Sequence, residues 1–128
     1  MRRAARLAVL LLAVLWPLAP SAGEEFRQVD IVIARDSYAF DPRQIAIEVG
    51  DTVRWINEDT RRHLTASIPG SGPGDHLEIL CEELYAGKSC VHTFETPGRY
   101  PYFCFIHNQM QGEVVVLDAD GEPVPAGG

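Results

Sequence analysis

The sequence predicts an all-β fold, and three observations carry that prediction. Apolar residues recur at every second position in short runs. No stretch keeps the i, i+3, i+4, i+7 spacing of an amphipathic helix, and Gly, Pro, Asn and Asp punctuate the runs. About seven or eight short strands at this spacing form an antiparallel sandwich or barrel.

Along the chain, Val29, Ile31 and Ile33 alternate with Gln28 and Asp30 as a first strand. Ile45, Ile47 and Val49 alternate with Gln44, Ala46 and Glu48, and Gly50-Asp51 reads as a tight turn into Val53 and Trp55. These two segments are expected to pair as a hairpin. Further strands are expected at Leu64–Ile68, His76–Leu80, Ser89–Glu95, Arg99–Cys104 and Gly112–Leu117, with Gly70–Asp75 and Pro97-Gly98 as breaks. Cys81–Gly87 has room for one helical turn at most. Beyond Leu117, residues 118–128 are rich in Asp, Gly and Pro and read as a flexible tail.

The first 23 residues have the layout of a secretory leader. Arg2, Arg3 and Arg6 precede an apolar run from Leu7 to Trp16, and small residues lead through Ser21, Ala22 and Gly23 to Glu24. The apolar run is short for a membrane span, so cleavage after Gly23, or after Ser21, is expected rather than an uncleaved anchor. The mature chain would have about 105 residues, the size of one domain, with the sandwich over 24–117. A chain of this length buries roughly two thirds of its unfolded surface, enough for a core.

The composition, 46% hydrophobic and 23% charged, is that of a globular protein. Loss of the three leader arginines from a chain with 11 basic and 18 acidic residues deepens its formal charge from -7 to -10. Such a surface repels phosphates, which excludes nucleic acid as a partner class. No nucleophile is paired with a base at a usable spacing, so a hydrolase is not supported.

The chemistry-bearing residues cluster late in the chain. Cys104, His107 and Met110 form a CxxHxxM motif between two strands, and Met110 is the only Met besides the initiator. Thiolate, imidazole and thioether are a soft donor set that favours copper over calcium or magnesium. A further imidazole is needed, and His63 is the best placed, at the start of a strand after the polar turn Asn57–Arg62. Two His and one Cys with a long, weak axial Met is the arrangement of blue-copper electron-transfer sites. Of the other histidines, His92 reads as structural on a strand and His76 as solvated beside a Gly-rich loop.

With these residues in hand, the sequence resembles the cupredoxins. Beyond CxxHxxM, the likeness rests on Phe40-Asp41-Pro42, on Ile45–Asn57 as a form of "I.V..GDTV.W.N", on His63, and on Pro97-Gly98 with Tyr100 and Tyr102. The ligand-loop spacing is most similar to that of amicyanin; plastocyanin and pseudoazurin place two more residues before the Met. The resemblance implies a Greek-key β-sandwich of about eight strands. It also implies one type I copper, held by His63, Cys104 and His107 in the equatorial plane and by Met110 axially.

The implied function is that of a small, exported, non-enzymatic protein, periplasmic and monomeric, shuttling single electrons between larger redox proteins. A catalytic copper enzyme would need further His ligands that this chain lacks. Two other classes use the same features: a copper carrier that hands on Cu(I) without redox cycling, and a structural sandwich with a vestigial loop. Two positions depart from the family pattern. Leu64 stands where many relatives carry an Asn or Thr that braces the ligand loop, and Asn108 stands where Pro often follows the second His.

If Cys104 binds metal it stays a thiolate, which leaves Cys81 and Cys90 for each other, as expected in an oxidising compartment. Around His107, Phe105 and Ile106 are candidates for an apolar contact surface. Arg61 and Arg62, beside His63 in an acidic protein, are candidates for orienting an acidic partner.

Overall fold

The structure is a computed structural model that describes residues 17–18, 23, 25–74 and 77–126. Most of the leader and His76 therefore lie outside the described residues. Eight strands succeed one another in order: β1 (Gln28–Ile33), β2 (Gln44–Ile47), β3 (Thr52–Asn57), β4 (His63–Ser67), β5 (Leu80–Leu84), β6 (Ser89–Thr93), β7 (Gly98–Cys104) and β8 (Gln111–Val116). They form a three-stranded sheet, β1-β3-β6, and a five-stranded sheet, β2-β8-β7-β4-β5. The all-β sandwich expected from the periodicity is what the chain forms.

Burial alternates as the sequence pattern demands. In β7, Gly98, Tyr100, Tyr102 and Cys104 point inward while the residues between them are partly exposed. In the core, Tyr102 stands edge-on to Phe40 at 4.8 Å and to Trp55 at 5.5 Å, while Phe94 stands edge-on to Tyr100 at 4.9 Å. Gly112 of β8 lies against the Tyr102 ring, and a β-carbon there would collide with the ring and with the Arg43 carbonyl. Glycine at this position lets the strand after the ligand loop pass over the core tyrosine.

Three expectations are corrected. The segments on either side of Gly50 do not pair as a hairpin: β2 joins the five-stranded sheet through β8 and β3 joins the other sheet through β1 and β6. Period-two alternation is the same in both arrangements, so it could not tell them apart. What redirects the chain is the buried Asp51 carboxylate, which accepts from the backbone N–H of Arg27 at 2.8 Å and of Glu48 at 3.0 Å. The Gly50 N–H donates to the Phe94 carbonyl at 2.7 Å.

The sheets are also not purely antiparallel, because β1–β3 and β2–β8 run parallel. Finally, the fifth strand is Leu80–Leu84, not His76–Leu80, and it replaces the helical turn allowed for Cys81–Gly87. A register irregularity in β4 between His63 and Thr65 breaks its pairing with β5, and β5 buries Cys81 and Leu84 three residues apart. That irregular spacing hides the strand from a period-two reading.

The segment after Leu117 is turned back on the sheet. Leu117 bridges to Pro123, and the Arg99 side chain donates to the Val124 carbonyl at 3.0 Å. A Cys81–Cys90 disulfide joins β5 of one sheet to β6 of the other.

Candidate metal centre

The site is assembled at one end of the sandwich, where β4 begins, β7 ends and β8 begins. His63 is the first residue of β4 and Cys104 the last of β7, and both are fully buried. The loop 105–110 is held in shape by its own backbone. Cys104 N–H donates to the Met110 carbonyl at 2.9 Å and Met110 N–H to the His107 carbonyl at 2.9 Å. Phe105 N–H donates to the Leu64 carbonyl at 2.8 Å, which ties the loop to β4 where Leu64 offers no polar side chain.

Within this frame, Nδ1 of His63 and Nδ1 of His107 each lie 3.7 Å from Cys104 Sγ. The three residues offer ligand atoms that all fall within 4.8 Å of one another. An ion bonded to imidazole nitrogen and thiolate sulfur at first-row lengths, about 2.0 and 2.3 Å, sets those atoms about 3.7 Å apart in a trigonal plane. The donor set and its spacing therefore fit one soft-to-borderline ion. Met110 is buried in the same core cluster as Cys104.

The two histidines differ in their surroundings. His63 is anchored from behind: its Nε2 lies 3.0 Å from Oδ2 of Asp59. Burial pushes its pKa down, an effect that outweighs the opposing pull of the Asp59 carboxylate. Asp59 is itself 2% exposed. Its Oδ1 accepts from the backbone N–H of Thr60 at 2.7 Å and of Asp36 at 3.3 Å, and the Arg61 guanidinium lies 3.4 Å away. Burial alone would raise the Asp59 carboxyl, but the His63 bond, the two amides and Arg61 together hold it well below the usual carboxylate range.

Asn57 completes the turn. Its Nδ2 donates to the carbonyls of Arg61 at 2.7 Å and Leu84 at 2.8 Å, and its Oδ1 accepts from Asp59 N–H at 2.9 Å. His107, by contrast, is half-buried, and the Tyr38 ring stands edge-on to it at 5.1 Å. Beside it Phe105 and Ile106 are 65% and 48% exposed.

The other candidate residues take up different positions. Arg61 is turned to its own protein: it pairs with Asp36 at 2.6 Å and lies 5.0 Å over the Tyr38 ring. Arg62 donates to the Glu82 carbonyl at 3.0 Å and lies over the Tyr85 ring. His92 stays away from the site, 2.9 Å from Glu78 and edge-on to Phe94, in keeping with its structural reading.

Sequence reasoning missed Asp59, Asn57 and the loop that brings Asp36 and Tyr38 over the site. Asp36 and Tyr38 adopt left-handed backbone conformations, with φ of 57° and 48°, which no residue pattern announces. The only available signal was an Asp four residues before the candidate ligand His63, which has no meaning without the turn that folds one onto the other.

Comparison with known proteins agrees with this geometry. The sequence profile of the cupredoxin-like domain matches residues 7–116. This chain belongs to the cupredoxin family. It is similar to plastocyanin from Scenedesmus fuscus, with 33% identity over 96 residues, 69% of this chain and 98% of that protein. It is also similar to amicyanin from Paracoccus denitrificans, with 30% identity over 100 residues, 76% of this chain and 72% of that protein.

A solved Cu(I) form of an amicyanin variant superposes with a TM-score of 0.62 at 28% identity, covering 70% of this chain and 81% of that one. The family is that of blue copper electron-transfer proteins, and the His63, Cys104 and His107 cluster is compatible with one type I copper.

Proposed function

We propose that this cupredoxin carries single electrons between larger redox proteins. In this reading His63, Cys104 and His107 would hold the copper, with Met110 as a further ligand. The observation that carries it is the pair of 3.7 Å separations between Cys104 Sγ and the two imidazole Nδ1 atoms, met in a buried frame.

Bound copper supplies a one-electron couple between Cu(I) and Cu(II). The protein residues keep the donor atoms in place through both states. Cys104 lies directly opposite Thr65 of β4, and His63 pairs with Leu84 of β5, so the sheet ladder fixes both backbone positions. The loop hydrogen bonds at Cys104, Phe105 and Met110 restrain the other two ligands. A set that suits neither the tetragonal preference of Cu(II) nor the freedom of Cu(I) too closely needs little rearrangement on electron transfer.

His107, edged by exposed Phe105 and Ile106, offers the short route to a partner through an apolar contact that excludes water. Arg61 and Arg62 contribute less free charge to docking than the sequence suggests, because each is engaged within the protein.

Export to an oxidising, periplasm-like compartment is part of the same reading. The leader pattern over 1–23 and the Cys81–Cys90 bridge both support it. The working form is a monomer of the 24–117 domain and the segment after it.

The test is addition of Cu(II) to the purified protein. An intense visible band from thiolate-to-copper charge transfer should appear, bleach with reductant and return with oxidant. Cys104→Ser should remove it while the far-ultraviolet circular dichroism stays unchanged. A protein that takes up copper without a reversible band overturns the proposal.

A further inference from the structure

Asp59 is a buried carboxylate one imidazole ring away from the atom of His63 that faces Cys104. A carboxylate only accepts hydrogen bonds, so the 3.0 Å contact requires Nε2 of His63 to carry the ring proton. Neutral imidazole has a single N–H, which leaves Nδ1 as the lone-pair atom directed at the 3.7 Å cluster. The other oxygen of Asp59 is held by Thr60 N–H, Asp36 N–H and Arg61, so the carboxylate cannot turn away to find other donors. Arg61 in turn is neutralised by Asp36 at 2.6 Å, so the group Asp36, Asp59 and Arg61 keeps one net negative charge beside the site.

We propose that Asp59 is a positioning residue. It fixes His63 in the tautomer that presents Nδ1 to the metal, and its negative charge favours Cu(II) over Cu(I), which lowers the reduction potential. This rests on the copper reading given above. The physical grounds are two. An imidazole that donates to a carboxylate is a stronger base at its other nitrogen, and an anion in a poorly screened setting stabilises the more highly charged ion. Arg61 moderates the effect, since it is the one cation in contact with Asp59 among the described residues.

Two variants with opposite expected signs test the proposal. Asp59→Asn keeps the shape and removes the charge. Outer partners of metal-bound histidines typically alter affinity by about 10- to 100-fold, so Cu(II) affinity should fall within that range while Cu(I) affinity changes much less. A tenfold change in the preference is a rise in potential of about 59 mV for a one-electron couple. Arg61→Gln leaves the carboxylate less compensated and should lower the potential. A purely structural role for the turn would move both variants the same way.

Opposite shifts, with the blue band retained, support the proposal. Shifts of the same sign, or a preference changed by less than twofold in Asp59→Asn, overturn it.

A metal-free measurement keeps the inference separate from the function it rests on. Nitrogen-15 NMR of metal-free protein should show His63 protonated at Nε2, and this preference should be lost in Asp59→Ala. His63 protonated at Nδ1 in the native protein overturns the inference whether or not copper binds. Absence of a reversible blue band in the native protein overturns the function instead, and leaves this NMR result to decide the role of Asp59.

Discussion

Strand β3 is bracketed by two buried carboxylates built from the same parts, Asp51 before it and Asp59 after it, each 2% exposed. Each accepts two backbone amides and an arginine. At Asp51, all of these partners close a crossing between two sheets. At Asp59, one oxygen is left for the ring of His63. A fold can thus use one device twice, and the difference between a structural end and a functional end is a single acceptor atom. The strand between them, about 20 Å long at 3.3 Å per residue, keeps the two ends apart.

The separation can be broken hardest at Asp51. Asp51→Ala takes the buried acceptor away from the backbone N–H groups of Arg27 and Glu48 and removes the Arg27 ion pair. It should cost about 2 to 4 kcal/mol in urea unfolding, since a hydrogen bond to a charged group contributes about 1.5 to 3 kcal/mol. The blue band should not move. A displaced band would mean that the far end of the sandwich is coupled to the metal.

Acid should sharpen the likeness between the two ends. Burial alone would raise Asp51, but the amides of Glu48 and Arg27 and the Arg27 side chain outweigh it, so its carboxyl, like that of Asp59, lies below the ordinary value of 3.8. A carboxyl depressed in the folded state stabilises it above the unfolded pKa, and that contribution is lost as pH falls through the folded one. Metal-free protein should therefore keep this contribution above about pH 4 and lose it progressively below. Urea midpoints measured across that range should show a shallower loss in Asp51→Asn than in the native protein.

At the site end, the exposed apolar residues can be changed without touching either carboxylate. Phe105→Ser with Ile106→Ser should alter stability by about 0.5 kcal/mol or less, since both side chains face solvent. The reduction potential should stay put. Electron self-exchange, measured by NMR line broadening in mixtures of the two oxidation states, should slow by roughly tenfold if these residues form the contact surface around His107. An unchanged rate would remove them from that role.

The smallest effect belongs to a carboxylate that is not buried and whose hydrogen bonds all come from side chains. Asp30 pairs with Arg54 at 2.6 Å on the outside of β1 and β3. Arg54→Ala should change the unfolding free energy by about 0.5 kcal/mol, and less at high salt. A larger loss would show that burial is not what distinguishes Asp51 and Asp59.

How far the molecule was legible in its sequence depends on the length of chain over which each feature is encoded. Cys104, His107 and Met110 lie within seven residues, so their common loop is evident from spacing alone. Strands β1, β3, β6 and β7 announce themselves by alternation, because a half-buried strand imposes period two on its own residues. Strand β5 does not, because its pairing with β4 shifts register and its two buried residues are three apart.

The pairing of β2 was misread for a different reason: a hairpin and a crossing between sheets bury the same alternate positions. The clasp behind His63 was not legible at all. It depends on Asp36, Asn57 and Asp59 meeting, and Asp36 reaches that turn from 23 residues away in the sequence.

The sequence by itself determined the all-β class, the donor chemistry of the ligand loop and the residues available for the disulfide. Each of these is written in residue type and short-range order, which the solvent and the sheet pleat read directly. Only the tertiary structure decided which sheet each strand joins, that Cys81 and Cys90 meet across the two sheets, and which carboxylate stands behind the first histidine. Those outcomes depend on the burial of polar groups that must find partners across the fold, and such partners are chosen by proximity in space rather than along the chain.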